Sequence, residues 1–220
     1  MSKTLILLSF LFYFISCEFN GIDVSVWQGP NVDFQKVKDS GINFVILRAG
    51  YGHGQADKYF ESNYQKAKAA GLNVGVYWYC YADTFEDSTA EANIALETLK
   101  GKQFEYPIYY DIEESSIFEK GMEFTSSLAD NFCQIMEQNK YFCGIVAALN
   151  FYKNYFNEYV KNRYTIWVAQ YADKCTYDGP YKIWQRSSTG SVPGIDGNVD
   201  LDISYEDFGP IMKKNHLNGF

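Results

Sequence analysis

The chain has little histidine, only His53 and His216 in 220 residues, and no Cys-x-x-Cys pair, so the ligand spacing of a zinc site is missing and no metal or cofactor is expected. It has no Asn-x-Ser/Thr triplet, which removes the acceptor for N-linked glycans. Basic residues are the minority: 19 Lys and Arg against 27 Asp and Glu give a net charge of −8, so the clustered cations of a nucleic-acid footprint are lacking. Long apolar runs are lacking too. The run at residues 5–15 is too short to span a bilayer, which takes about 20 residues, and no later segment does better.

Lys3, that apolar run, the small Ser16 and then Cys17 have the layout of an export signal. Residues 1–17 are therefore expected to be removed, leaving residues 18–220 as one domain that is secreted or delivered to a vesicle lumen, without a membrane anchor. A pI of about 4.8 means the molecule loses self-repulsion in an acidic compartment. Beyond Cys17 stand Cys80, Cys133, Cys143 and Cys175, an even number in an exported chain, which favours two disulfides. Cys133 with Cys143 ranks first, because it closes a short loop between a helix and the next strand. Monomer is the default state.

What is present is a core-forming composition, 47% hydrophobic and 18% aromatic, with no linker to divide it. Most of the 19 Tyr and 17 Phe must serve packing, but aromatic rings also stack on the apolar faces of sugars. Short runs rich in Val, Ile and Tyr fall at 21–26, 44–49, 74–79, 108–112, 143–148 and 165–169, with weaker ones at 181–185 and 201–204. Helical patterns lie between them at 33–39, 58–70, 88–99, 125–139 and 151–159. The second ends at Gly71, and the third opens on a Ser88/Glu91 capping box. Five strand–helix units followed by three closing strands predict an α/β fold, an irregular TIM-like (β/α) barrel; an open doubly wound sheet is the rival. In both, functional side chains belong at the C-terminal strand ends. Gly50-Tyr-Gly-His-Gly54 lacks the spacing of a dinucleotide loop and reads as a βα turn, with His53 exposed in it.

The sharpest chemical signal is Pro107-Ile-Tyr-Tyr-Asp-Ile-Glu-Glu114, an apolar strand ending in acids. Alternation turns Tyr109, Asp111 and Glu113 to one face and Tyr110, Ile112 and Glu114 to the other. Two acids on one face resist joint ionisation, which raises one toward the range a general acid needs. Asp23 lies early in the first apolar strand, where a charge must be paired. If the barrel closes, its neighbour is the last strand, where Asp200 and Asp202 share a face.

These residues resemble the family 25 lysozymes of the Chalaropsis type. The matching segments are Asp-Val-Ser-Val-Trp-Gln-Gly at 23–29, Phe-Val-Ile-Leu-Arg-Ala-Gly at 44–50, Gly-Val-Tyr-Trp-Tyr at 75–79 and Tyr-Asp-Ile-Glu at 110–113. Ile-Trp-Val-Ala-Gln-Tyr at 166–171, Ile-Trp-Gln at 183–185 and Gly-Asn-Val-Asp-Leu-Asp at 197–202 follow in family order. The resemblance implies a barrel with a glycan groove that cleaves the β-1,4 bond between N-acetylmuramic acid and N-acetylglucosamine in bacterial peptidoglycan. It implies Glu113 as the catalytic acid, Asp111 beside it, and Asp23 and Asp200 completing an acidic floor. Tyr51, Tyr79, Tyr110, Trp167, Gln170 and Tyr171 are implied as the wall that grips the sugar. Asp202 departs from the Asn of many members, and no cell-wall-binding repeats are appended.

Residues two apart on a strand are separated by roughly 6.6 Å, so spacing leaves Asp111 open as nucleophile, water-activating base or orienter. The resemblance favours assistance from the substrate's own 2-acetamido group, held by Asp111. A chitinase-like hydrolase is the nearest enzymatic alternative, but its Asp-x-Asp-x-Glu pattern meets Tyr109 at the first place. An inactive glycan-binding barrel is the other, and it has no need of a carboxyl set for protonation.

Overall fold

The computed structural model describes residues 18–220, so the expected export signal at 1–17 lies outside the described residues. The strands are β1 (Phe19–Val24), β2 (Phe44–Tyr51), β3 (Gln55–Ala56), β4 (Asn73–Tyr79), β5 (Ile108–Asp111), β6 (Cys143–Ala148), β7 (Thr165–Ala169), β8 (Ile183–Gly190) and β9 (Val199–Ser204). Their order is β1-β9-β8-β7-β6-β5-β4-β2-β3, and β1 also pairs with β2. That last pairing closes eight strands into a ring, with β3 as a hairpin appendage of β2, and excludes the open doubly wound sheet. The barrel is therefore the irregular (β/α) type expected, with five βα units before the closing strands.

Seven of the ring strands run parallel, and β9 alone is antiparallel to both neighbours. Parallel neighbours need a long crossover, which residues 170–182 supply between β7 and β8; the short link from β8 to β9 allows only reversal. This reversal puts the first residues of β9 at the same end of the ring as the last residues of β1, and Asp23 pairs with Asp200.

The helices are α1 (Phe34–Asp39), α2 (Phe60–Ala69), α3 (Phe85–Leu99), α4 (Ser115–Phe118), α5 (Met122–Gln138), α6 (Leu149–Tyr155), α7 (Glu158–Arg163) and α8 (Phe208–Asn215). Gly71 follows α2 with φ +75°, the left-handed residue expected there. Two of the differences from expectation have a clear local cause. The box that starts α3 is Thr84/Asp87, while Ser88 and Glu91 lie buried inside the helix, where Ser88 bonds the Leu128 carbonyl. The single helix expected at 151–159 is two helices, because the Asn157 side chain accepts from Val160 N–H and restarts the chain as an N-cap.

Alternation along the strands builds two cores. Ile22, Val45, Val74, Ile108, Ile145 and Ile166 face outward to the helices, while Phe44, Ile46, Tyr109, Val146 and Trp167 fill the ring. At the N-terminal end of the ring Phe44 stacks on Tyr106 with centroids 4.3 Å apart, and Phe208 of α8 packs on Tyr106 at 5.3 Å. The lower ring is thus sealed by apolar side chains, and polar residues collect at the other end.

The cysteines correct one expectation. Cys133 and Cys143 come together as foreseen, with sulfurs 3.0 Å apart, but they are unbonded. Cys80 and Cys175 are free as well, so no disulfide links the described residues.

Large rings inside the barrel require glycines on the neighbouring strand. A Cβ on Gly144 would stand 2.6 Å from the Tyr109 ring and 2.6 Å from the Thr165 carbonyl oxygen, and backbone cannot yield as a side chain can. Gly144→Ala is expected to cost about 1–3 kcal/mol by overpacking, read as a lower urea midpoint with an unchanged slope.

Candidate active site

The strands deliver a set of acids to the open end of the ring. Asp111 is the last residue of β5 and Glu113 follows two residues later; Asp23 comes from β1 and Asp200 from β9, and all four line one cleft. Asp202 lies one layer deeper, 1% exposed. Spacing left open whether Asp200 or Asp202 meets Asp23 across the closure, and Asp200 is the residue paired with it.

Crowding and burial act on these carboxyls in the same direction. Burial raises Asp111 well above the usual carboxylate range, and Glu113 adds to it, while the Arg48 charge opposes. Glu113 reaches solvent at the rim, yet the surrounding protein still pushes its carboxyl up, with Asp200 and Glu114 contributing. Asp23 is raised by burial, then by Asp202 and Asp200, and Asp200 by burial. Asp202 is raised by burial and by Asp200. Such a cluster holds protons at a pH where isolated carboxyls have lost them.

Specific donors hold the cluster in place. Gln185 Nε2 donates to Asp23 Oδ2 at 2.7 Å, and Tyr171 O–H donates to Gln185 Oε1 at 3.1 Å, a relay from rim to floor. Trp167 Nε1 donates to Asp202 Oδ1 at 3.0 Å, so the buried indole forms the floor of the cleft rather than its wall. Tyr79 donates to Glu114 Oε1 at 2.8 Å. Its phenol is raised far above normal by burial and by that bond, so it stays a donor. Around the rim, Trp27 is 83% exposed and Tyr171 61%. The Tyr51 ring stands behind it, under the Arg48 guanidinium at 5.1 Å and edge-on to Tyr81 at 6.2 Å.

Three residues expected in the sugar wall, Tyr51, Tyr110 and Gln170, do not line the cleft. Tyr110 points to the helical layer, as alternation from Asp111 requires. It stacks on Phe132 at 3.9 Å and donates to the buried Glu91 at 2.8 Å. Gln170 spends its side chain on Thr176, accepting from the backbone N–H at 2.8 Å, and so shapes the loop after β7 instead of lining the cleft. His53 sits 3.5 Å from Asp87 at the surface. Arg48, Gln185 and Trp27 line the cleft without having been assigned from sequence. A readable signal existed for Arg48 alone, as a lone cation in an apolar strand.

A closed ring with crowded carboxyls beneath an exposed aromatic rim is the architecture of a carbohydrate-processing barrel. Comparison with known proteins narrows this class: the sequence pattern of glycosyl hydrolases family 25 matches residues 22–195, and the chain belongs to that family. It is similar to an autolytic lysozyme of Clostridium acetobutylicum, 33% identical over 83% of this chain and 54% of that protein. It is similar also to the modular autolysin LytC of Streptococcus pneumoniae, with a TM-score of 0.78 and 27% identity over 84% of this chain and 46% of that one. The chain thus spans about half the length of these two relatives. A family 25 glycosyl hydrolase from Bacillus anthracis shares the fold over 91% of this chain and 93% of its own, with a TM-score of 0.73 at 18% identity.

An acid raised in the folded chain binds a proton that the unfolded chain has released, so its contribution to stability falls as pH climbs from about 4 toward its folded value. Asp33, Glu61 and Asp87 are lowered and act oppositely, so a difference between variants isolates the cleft. Asp202→Asn makes one raised group permanently neutral. Its melting temperature relative to wild type is expected to increase steadily between pH 4 and 8; a constant offset contradicts the crowding.

Proposed function

We propose that this chain hydrolyses the β-1,4 bond between N-acetylmuramic acid and N-acetylglucosamine of bacterial peptidoglycan, with Glu113 as proton donor. The observation that carries the reading is that β5 ends by delivering Asp111 and Glu113 into one cleft beneath an aromatic rim, in a chain of family 25. Relatives named lysozyme and autolysin support the choice of substrate.

Glycoside cleavage needs a proton on the leaving oxygen and negative charge near the oxocarbenium-like centre. Glu113 suits the first task because it is at the accessible rim and its carboxyl is pushed upward. Asp111, deeper and 8% exposed, suits the second task by holding the substrate's 2-acetamido group against the reacting carbon. Asp23 and Asp200 complete the anionic floor. Tyr79, Tyr171 and Trp27 offer stacking faces and hydroxyls to the flanking sugars.

The same reading makes residues 1–17 an export signal and the site of action extracellular or in a vesicle lumen, with the chain acting as a monomer. In an oxidising lumen Cys133 and Cys143 are the thiols near enough to bridge.

Clearing of purified bacterial walls tests the reading, with mass spectrometry of the fragments. Wild type is expected to release fragments with muramic acid at the reducing end, and Glu113→Gln to lose about 10²–10⁴-fold in rate. Equal rates in the two proteins, or N-acetylglucosamine at the reducing end, contradict it.

A further inference from the structure

Gln185 comes from β8, between β7 and β9, and lines the cleft together with Asp23 and Tyr171. Its amide is bonded at both ends. Nε2 donates to Asp23 Oδ2 at 2.7 Å, and Oε1 accepts from the Tyr171 hydroxyl at 3.1 Å. The backbone grips the same loop: the Gln185 carbonyl accepts from Gln170 N–H at 3.0 Å, and Trp184 Nε1 donates to the Gln170 carbonyl at 2.7 Å. A tyrosine 61% exposed at the rim is thus joined through one side chain to a carboxyl 6% exposed at the floor.

Elementary chemistry sets the direction of these bonds. A carboxylate only accepts, so while Asp23 is charged the amide must turn its NH2 toward it and its carbonyl toward Tyr171. Tyr171 then spends its proton inward, and its oxygen is left to accept from outside. Ser188 of β8 meets that oxygen from one side, and the open cleft lies on the other, where a sugar hydroxyl can donate to it. Bonds in such a chain polarise one another, so a donor arriving on Tyr171 strengthens both inner bonds.

The groups around Asp23 give this donor its weight. Asp200 and Asp202 face it from β9, Asp111 from β5 and Tyr77 from β4, each an acid or an acidic hydroxyl. Asp200 and Glu113 face the Tyr171 hydroxyl as well. Arg48 of β2 lines the same cleft, but its Nε and Nη2 are both bound to Asp57 at 2.8 Å. Gln185 touches Asp23 directly, and because an amide does not titrate it donates there at every pH.

We propose that Gln185 is a positioning residue of the hydrolysis, joining Tyr171 to Asp23 so that a sugar hydroxyl donated to Tyr171 at the rim favours the charged form of Asp23 at the floor. This rests on the reading of the cleft as a glycan site. Such coupling is reciprocal, so a charged Asp23 also favours the seated sugar. The anionic floor is then completed as the substrate arrives.

The test is a carbon-13 NMR titration of the Asp23 carboxyl, assigned with Asp23→Asn, in the full chain carrying Glu113→Gln so that sugar is not cut. Tyr171→Phe, Gln185→Leu and their double variant are compared, with and without a soluble tetrasaccharide of alternating N-acetylglucosamine and N-acetylmuramic acid. Gln185→Leu is expected to raise the titration of Asp23 by about 1 pH unit, and Tyr171→Phe, which does not touch Asp23, by about half as much. The double variant should go no further than Gln185→Leu. The tetrasaccharide should lower the titration where Tyr171 and Gln185 are both present and leave it in place in either variant. On purified peptidoglycan, with Glu113 restored, Gln185→Leu should lose about tenfold in kcat, and Tyr171→Phe should raise KM about threefold. Tyr171→Phe removes one hydroxyl at an exposed position, so it carries the measurement if Gln185→Leu does not fold. Asp23 titrating as before in Tyr171→Phe, additive movements in the double variant, or an unchanged kcat in folded Gln185→Leu overturns the proposal. Walls cleared equally by wild type and Glu113→Gln sink the acid assignment instead, so the two failures are distinct.

Discussion

The hydrogen-bonded pairing of β1 with both β2 and β9 is the constraint from which the site follows. In an open sheet Asp23 and Asp200 would lie on distant edges, each free to keep its own water. Closure brings them to opposite positions on adjacent strands and turns both toward Asp111. Because β9 runs against β1, its first residues rather than its last reach the mouth, and the chain thereby contributes acids from both of its ends.

That gathering is unfavourable in isolation, since each carboxyl loses water and gains like-charged neighbours. The surroundings offset it with fixed donors, Gln185 on Asp23 and Trp167 on Asp202, and with the one cation lining the cleft, Arg48. The lower ring supplies the rigidity, with Phe44, Tyr106 and Phe208 packed into a plug where solvent would otherwise enter. Stability resides at one end of the barrel, then, and electrostatic tension at the other, the division expected of a site that must keep a proton available near neutral pH.

Much of this was legible in the sequence where the governing rule is local. Strand alternation paired Asp111 with Glu113, and the five strand–helix repeats pointed to a ring with an open sheet as rival, which the pairing of β1 with β2 decides. The same alternation already turned Tyr110 away from Asp111, so its place in a sugar wall came from family resemblance against the geometry of its own strand. Gln170 was lost to a turn contact with Thr176 that no periodicity encodes. Gln185 was invisible for a different reason: its meaning lies in a partner 162 residues away, Asp23. The start of α3 was misplaced because Thr84/Asp87 and Ser88/Glu91 offer the same capping pattern four residues apart, and burial decided between them.

The account depends on the closed ring forcing the cleft acids to hold protons that ordinary carboxyls release. Carbon-13 NMR titration of the Asp and Glu side-chain carboxyls, assigned with Asp111→Asn and Glu113→Gln, measures this directly. The resonances lost in those variants are expected to titrate above the usual range near 4, that of Asp111 well above it. If every carboxyl of the folded protein titrates at its ordinary value, the cleft is no more than a hydrated strand end and the account fails.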